Sequence, residues 1–281
     1  MARNGTSANG ARQERGTALP RVVALTFHDV VAGSPSAPEK SDAFYRLTAG
    51  EMEELLSQLR HLGYQTVSSR AFRAWQQGQG GLPERTVVLT FDDGYTSHFE
   101  IVAPLLLRYH FSATFFIPVE RVGRAGHLTW EQLRKLVFLG MEIGSHGVTH
   151  RPMTSLSPEE LDQELVDSKR ILEERLGVPV RALAAPGGFW NGKVAEAAQR
   201  AGYDAVWVSM IGTNGRDTNP AALRRVVVRQ PFSMEQVISM VSGWRPAFWW
   251  AANQQFLIRI LKRMLGVYWY ERLKRKLVTD A

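Results

Sequence analysis

Two adjacent aspartates, Asp92 and Asp93, follow a β-branched apolar run at Thr86–Phe91 and precede Gly94. Like charges this close raise one another's pKa unless a cation neutralises them, and a divalent metal does so. His146 and His150, four residues apart, follow another apolar run at Met141–Ser145. One Asp with two His gives three protein ligands and leaves a fourth position open for water, the pattern of a hydrolytic rather than a structural zinc site. The second Asp, unable to ligate from the same backbone direction, is left beside that water as a general base. An Asp-Asp-Gly alone is usually a turn and a His-x-x-x-His pair often a structural one. Their joint placement on strand ends is what favours chemistry. No cysteine is present, so thiolate metal sites, cysteine nucleophiles and disulfides are excluded.

The elements that must hold these residues are legible. Strands are expected at Val22–Phe27, Thr86–Phe91, Ala113–Pro118, Met141–Ser145, Ala182–Ala185, Tyr203–Val208 and Arg225–Arg229. Amphipathic stretches lie between them. Three carry start signals, Thr48 with Glu51, Thr129 with Gln132 and Ser157 with Glu160, and stops fall at Gly63, Gly140, Gly177 and Gly202. Repeated βα units predict an α/β fold, economically closed as a barrel, with an open doubly wound sheet as the alternative. In a βα barrel the working residues sit just past the strand C-termini. That rule adds His28 and Asp29 after the first strand and Pro186, Gly187 and Gly188 after the fifth.

The runs Leu89-Thr90-Phe91-Asp92-Asp93-Gly94, Ala113-Thr114-Phe115-Phe116, Glu142-Ile143-Gly144-Ser145-His146 through Thr149-His150, and Ala185-Pro186-Gly187-Gly188 together resemble the polysaccharide deacetylase pattern (NodB homology, carbohydrate esterase family 4) over roughly residues 20–230. The resemblance implies a distorted (β/α)7-8 barrel that removes N-acetyl groups from amino-sugar polymers by metal-assisted hydrolysis. Position by position it makes Asp92 the catalytic base and Asp93, His146 and His150 the ligands of a divalent metal, zinc first, with Co2+, Ni2+, Mn2+ or Fe2+ as alternatives. The amide after Pro186 becomes part of an oxyanion hole, with Gly187 and Gly188 letting the chain approach substrate.

Two departures stand out. Many members carry a late His as general acid, yet all seven histidines here lie at or before His150. Thr26-Phe27-His28-Asp29 resembles the circularly permuted exopolysaccharide poly-N-acetylglucosamine deacetylase branch, in which the acid-bearing segment comes first. His28 is then the acid, and Asp29 orients the imidazole or lies near the base. Many members also place an Arg two residues before the motif Pro to pair with the base, where this chain has Ala184; Arg181 or Asp29 is expected to substitute. Trp130 and Trp190 flank the site segments as candidate sugar-stacking rings.

The net charge of +7 is uneven. Residues 1–20 read as a disordered arm whose arginines outnumber its acids, without a secretory apolar region. Residues 21–243 form the barrel domain and are slightly acidic. Residues 244–281 carry eight Lys/Arg against Glu271 and Asp280, mixed with Trp, Phe, Leu and Ile, and no run is long and apolar enough to span a bilayer. This predicts a C-terminal helical extension on an anionic membrane surface, with packing on the barrel as its alternative. Nothing resembles a nucleic-acid module. The expected protein is a carbohydrate N-deacetylase acting on an N-acetylated polysaccharide, an oligosaccharide or a lipid-linked amino sugar. It is expected to be cytoplasmic and peripheral at the inner membrane face, or extracytoplasmic if the true start lies upstream. The competing classes are an inactive membrane-attached carbohydrate or lipid-headgroup binder, and a non-haem Fe(II) oxygenase.

Overall fold

The computed structural model describes residues 21–33, 45–229 and 232–243. The basic arm and the aromatic, basic C-terminal segment lie outside the described residues. β1 (Val23–Phe27) and β5 (Thr86–Phe91) are buried at every position on both faces, as parallel strands are when helices cover one side and the barrel interior the other. With β6 (Thr114–Ile117), β7 (Glu142–Ser145), β8 (Ala182–Ala184) and β9 (Ala205–Val208) they pair in the order β9-β8-β7-β6-β5-β1. Short β4 (Gln65–Thr66) pairs with β5. A separate two-stranded piece joins β2 (Val30–Val31) to β3 (Leu47–Thr48).

The barrel closes through one segment. Leu223–Arg224 (β10) pairs with β9 and Val226–Val227 (β11) pairs with β1, all parallel. The strand expected at Arg225–Arg229 therefore begins earlier, ends earlier and breaks at Arg225, because the chain changes partner there. An open doubly wound sheet is overturned by this closure.

The start signals act as expected. Thr48, Thr129 and Ser157 each form reciprocal caps, with Glu51, Gln132 and Glu160, on α1 (Ala49–His61), α4 (Trp130–Phe138) and α5 (Pro158–Leu176). Gly177 ends α5 at φ 69°, a conformation that favours glycine. The core has two layers. Val22, Ala24, Val88, Phe116, Ala182, Ala184 and Trp207 alternate along the strands into the interior, where α2 (Ser69–Gln76) adds Phe72 and Trp75. The intervening residues, such as Leu25, Leu89, Phe115 and Ile143, face the helices. α3 (Ala103–Arg108), α6 (Gly192–Arg200) and α7 (Met234–Val241) complete that outer layer. No described helix is long and apolar enough to cross a membrane.

Candidate metal centre

Register brings the candidate residues to one rim. Phe27 pairs with Phe91, and Asp92 N–H donates to Phe27 O (2.9 Å), which sets His28 beside Asp92 at the ends of β1 and β5. Ile117 pairs with Ser145, and His146 N–H donates to Ile117 O (3.0 Å), carrying His146 to the same level. Asp93 adopts φ 75° and His150 φ 62°. These left-handed turns are tolerated by short polar residues, and the one at Asp93 sends the two neighbouring carboxyls to different partners.

Asp93, His146 and His150 form the group suited to hold a cation, with one ligand atom from each lying within 4.8 Å of the others. His146 Nδ1 bonds the carbonyl of Ala184 at 2.7 Å. A carbonyl only accepts, so Nδ1 carries the proton and the Nε2 lone pair faces the site, the tautomer a ligand requires. Burial, partly offset by Asp92, pushes the His146 pKa down to about 4, so the imidazole is neutral at neutral pH. Asp93 Oδ1 is buried without an aligned hydrogen bond, although His150 Nε2 (2.8 Å) and Arg121 Nη1 (2.9 Å) are close. Burial alone would raise the Asp93 pKa. Contact with His150 and the proximity of His28 and His146 hold it below the usual carboxylate range. An ionised carboxylate oxygen that makes no aligned hydrogen bond and lies between two imidazoles fits a divalent cation with N/O ligands.

The loop joining His146 to His150 is anchored by a buried carboxylate. Glu164 on α5 is buried, and its carboxylate accepts from the backbone N–H of Val148 (2.8 Å) and Thr149 (2.6 Å) and from the Thr149 hydroxyl (3.0 Å). Gly147, at φ 79°, packs so closely on this carboxylate that a Cβ would sit 2.7 Å from Glu164 Oε1.

Asp92 has a partner that the sequence reading missed. Arg225, fully buried, grips it through Nη1–Oδ1 (2.7 Å) and Nη2–Oδ2 (2.9 Å) and also reaches Thr90 Oγ1 (3.2 Å). Burial would raise the Asp92 pKa, but Arg225 and then His146 outweigh it and hold the carboxyl below the ordinary range. The expectation that Arg181 or Asp29 substitutes for the motif Arg is corrected. Arg181 precedes β8, at the far end of the barrel, and faces Asp204 (3.7 Å) with its side chain mostly exposed. Asp29 is taken by Arg46 (3.0 Å) and Ser97 Oγ (2.9 Å). Nor does Asp29 orient the imidazole by a hydrogen bond, since His28 Nδ1 is buried without a partner and the ring instead lies 4.8 Å from that of Tyr45.

His98, which matched no motif, lies directly beneath His28. It is fully buried among Phe91, Tyr95 and Phe115, and its Nε2 donates to His28 O (2.8 Å). Desolvation lowers its pKa to about 4, so it is a neutral prop for the His28 backbone.

Pro186–Gly188 form a single tight turn in which Gly188 N–H is committed to Ala185 O (2.8 Å). A Cβ at Gly188 would lie 2.3 Å from Ser209 Cβ, and one at Gly187 2.8 Å from the Phe189 ring. The close approach these glycines permit is thus to the protein's own neighbouring segments. Trp190 is partly buried, with an indole N–H lacking a partner. Trp130 sits in the helical layer, its ring centroid 5.7 Å from the Arg175 guanidinium carbon, rather than on the rim.

Comparison with known proteins agrees with this geometry. The polysaccharide deacetylase family model matches residues 79–206. YxkH of Bacillus subtilis, provisionally named a polysaccharide deacetylase, is 28% identical over 204 residues, covering 73% of this chain and 70% of its own. The Escherichia coli (strain K12) poly-beta-1,6-N-acetyl-D-glucosamine N-deacetylase is 27% identical, covering 65% of this chain, which spans only 33% of the enzyme. The deacetylase PplD of Streptococcus pyogenes, solved with acetate, superposes with a TM-score of 0.73 at 22% identity, over 80% of this chain and 99% of its own, and shares the fold. With the ordered motifs on one rim, these matches show a polysaccharide deacetylase domain over residues 79–206, on the fold of solved deacetylases.

Proposed function

We propose that the protein is a metal-dependent N-deacetylase that hydrolyses the acetamide of N-acetylglucosamine units to acetate and free amine. The observation that carries this reading is the convergence of an ionised base, Asp92, and the Asp93–His146–His150 group on one rim. A divalent cation, zinc first, held by those three side chains supplies Lewis acidity for the carbonyl and acidifies water. Asp92 takes the proton from the attacking water, and Arg225 keeps it ionised although buried. The Gly187 amide N–H donates to the developing oxyanion. His28, adjacent in register, gives a proton to the departing amine. Trp190, which follows the Pro186–Gly188 turn and is partly buried, is the candidate to stack on a sugar ring. The arginine that pairs with the base is present, at 225, which supports an active enzyme over a binding protein.

The test is acetate release by metal-reconstituted protein from peptidoglycan, chitin-type oligomers, poly-N-acetylglucosamine and lipid-linked amino sugars. Release from at least one is expected, abolished by chelation and restored by Zn2+ or Co2+. For His28→Ala a fall of roughly 10²–10⁴-fold is expected, and near wild-type turnover removes it as the acid. No release from any of the four sinks the deacetylase reading.

Residues 244–281 are proposed to hold the enzyme on an anionic membrane surface, at the inner face in a cytoplasmic setting, on the strength of their aromatic and Lys/Arg composition. Co-sedimentation with phosphatidylglycerol vesicles is expected for the full chain and not after deletion from Trp244. Equal binding by both refutes it.

A further inference from the structure

Arg121 closes the short helical turn Val119–Arg121 after β6, and it touches two of the three ligand side chains. Its Nη1 lies 2.9 Å from Asp93 Oδ1 and its Nη2 3.0 Å from His150 Nδ1. A guanidinium has no acceptor, so the Nη2 contact makes His150 Nδ1 the acceptor, without a proton of its own. In a neutral imidazole the proton then sits on Nε2, the nitrogen that faces Asp93 Oδ1 at 2.8 Å. His146 is held in the opposite tautomer by Ala184 O. Of the two histidines, one is set for ligation through Nε2 and the other is set against it.

We infer that Arg121 is a positioning residue that holds His150 in the tautomer unable to ligate through Nε2 and so lowers the centre's affinity for the cation, which enters as Arg121 releases His150. This rests on the metal-site reading above. For Nε2 of His150 to offer its lone pair, the proton must move to Nδ1, and an Nδ1–H cannot accept from Arg121. The same guanidinium neutralises Asp93 and would stand one carboxylate oxygen away from a divalent ion, a like-charge contact in a largely buried setting. With about a quarter of its side chain exposed, Arg121 has solvent to swing into. Among the described residues, Asp93, His146, His28 and Asp92 also face this point; the Arg225 charge is spent on both oxygens of Asp92, whereas Arg121 sits directly on Asp93 and His150. Arg124, three residues on, pairs instead with Glu120 on the surface.

The experiment is a titration of metal-stripped full-length protein with Co2+, followed by its visible absorption, and competition with Zn2+. Arg121→Met is expected to bind Co2+ about tenfold or more tightly than wild type, the scale on which groups that touch ligands alter metal affinity. Arg124→Met, which removes the same charge from the same loop, is expected to leave affinity unchanged. Arg121→Lys, which keeps the charge but lacks the fork, should fall between. Unchanged or weaker binding in Arg121→Met, with its melting temperature retained, overturns the inference while leaving the metal site intact. Equal tightening in Arg124→Met reduces it to net charge and also overturns it. Absence of Co2+ binding by wild type defeats the metal-site reading itself, and this inference with it.

Discussion

Replacing Arg225 by Met is expected to destabilise the protein by about 3–5 kcal/mol and to remove most of its activity at neutral pH, because it leaves the Asp92 carboxylate buried without its counter-ion. The size follows from the setting. Arg225 is entirely buried, both of its terminal nitrogens are committed to Asp92, and its guanidinium carbon lies 5.3 Å from the centroid of the Phe116 ring, so no water can take its place cheaply. The pH dependence separates this electrostatic cause from simple loss of packing. In the wild type the Asp92 pKa is lowered from 3.8, so the stability it contributes is present above that value and is lost only as pH falls through the lower folded one. In Arg225→Met the largest influence opposing burial is gone, and the Asp92 pKa is expected to rise above 3.8. The carboxyl then stabilises the fold only while protonated, and that contribution is lost as pH rises through the new value. The gap between the two proteins in chemical denaturation should therefore be widest near neutrality and shrink below about pH 4. A gap independent of pH contradicts the account. Arg225→Lys should recover part of the stability, since a point charge cannot reproduce the two-pronged contact.

Why Arg225 escaped the sequence reading is a matter of geometry rather than of composition. Asp92, Asp93, His146, His150 and His28 stand just past the ends of apolar runs whose strands stay paired in register to their last residue, so their place is marked in the sequence. Arg225 lies at the front of a run that changes neighbours, so the side chain that enters the interior is the one at the break between β10 and β11. A charged residue opening a β-branched run, in a chain whose motif Arg is replaced by Ala184, was the signal available. Six of the seven expected strands, β1 and β5 to β9, were legible because buried parallel strands leave near-continuous apolar runs. β2, β3 and β4 were not, being two residues each and held by pairing rather than pattern. Glu164 and His98 escaped for a similar reason. A helical glutamate and a helical histidine carry no local mark of the loop or strand end that they support from another part of the chain.

Exchanging each aspartate for asparagine should split their roles. Asp92→Asn is expected to keep stoichiometric metal and lose about 10²–10⁴-fold in kcat, the usual contribution of a positioned base. Asp93→Asn is expected to lose metal affinity first and activity as a consequence. The division follows from direction. Asp92 spends both oxygens on Arg225 and stands 4.0 Å from His146 Nε2, whereas Asp93 presents Oδ1 to His150 at 2.8 Å and to His146 at 3.8 Å. Asp92→Asn also leaves Arg225 as a buried cation facing a neutral amide, so its melting temperature must be measured beside its metal content. An asparagine oxygen can keep one of the two contacts, which limits that loss. If Asp92→Asn binds no metal while Asp93→Asn binds it normally, the base and the ligand have been exchanged, and Arg225 would be holding a metal ligand instead of the base. If both variants retain metal and hydrolytic rate, neither carboxylate takes part, and the chemistry must be sought elsewhere on the rim.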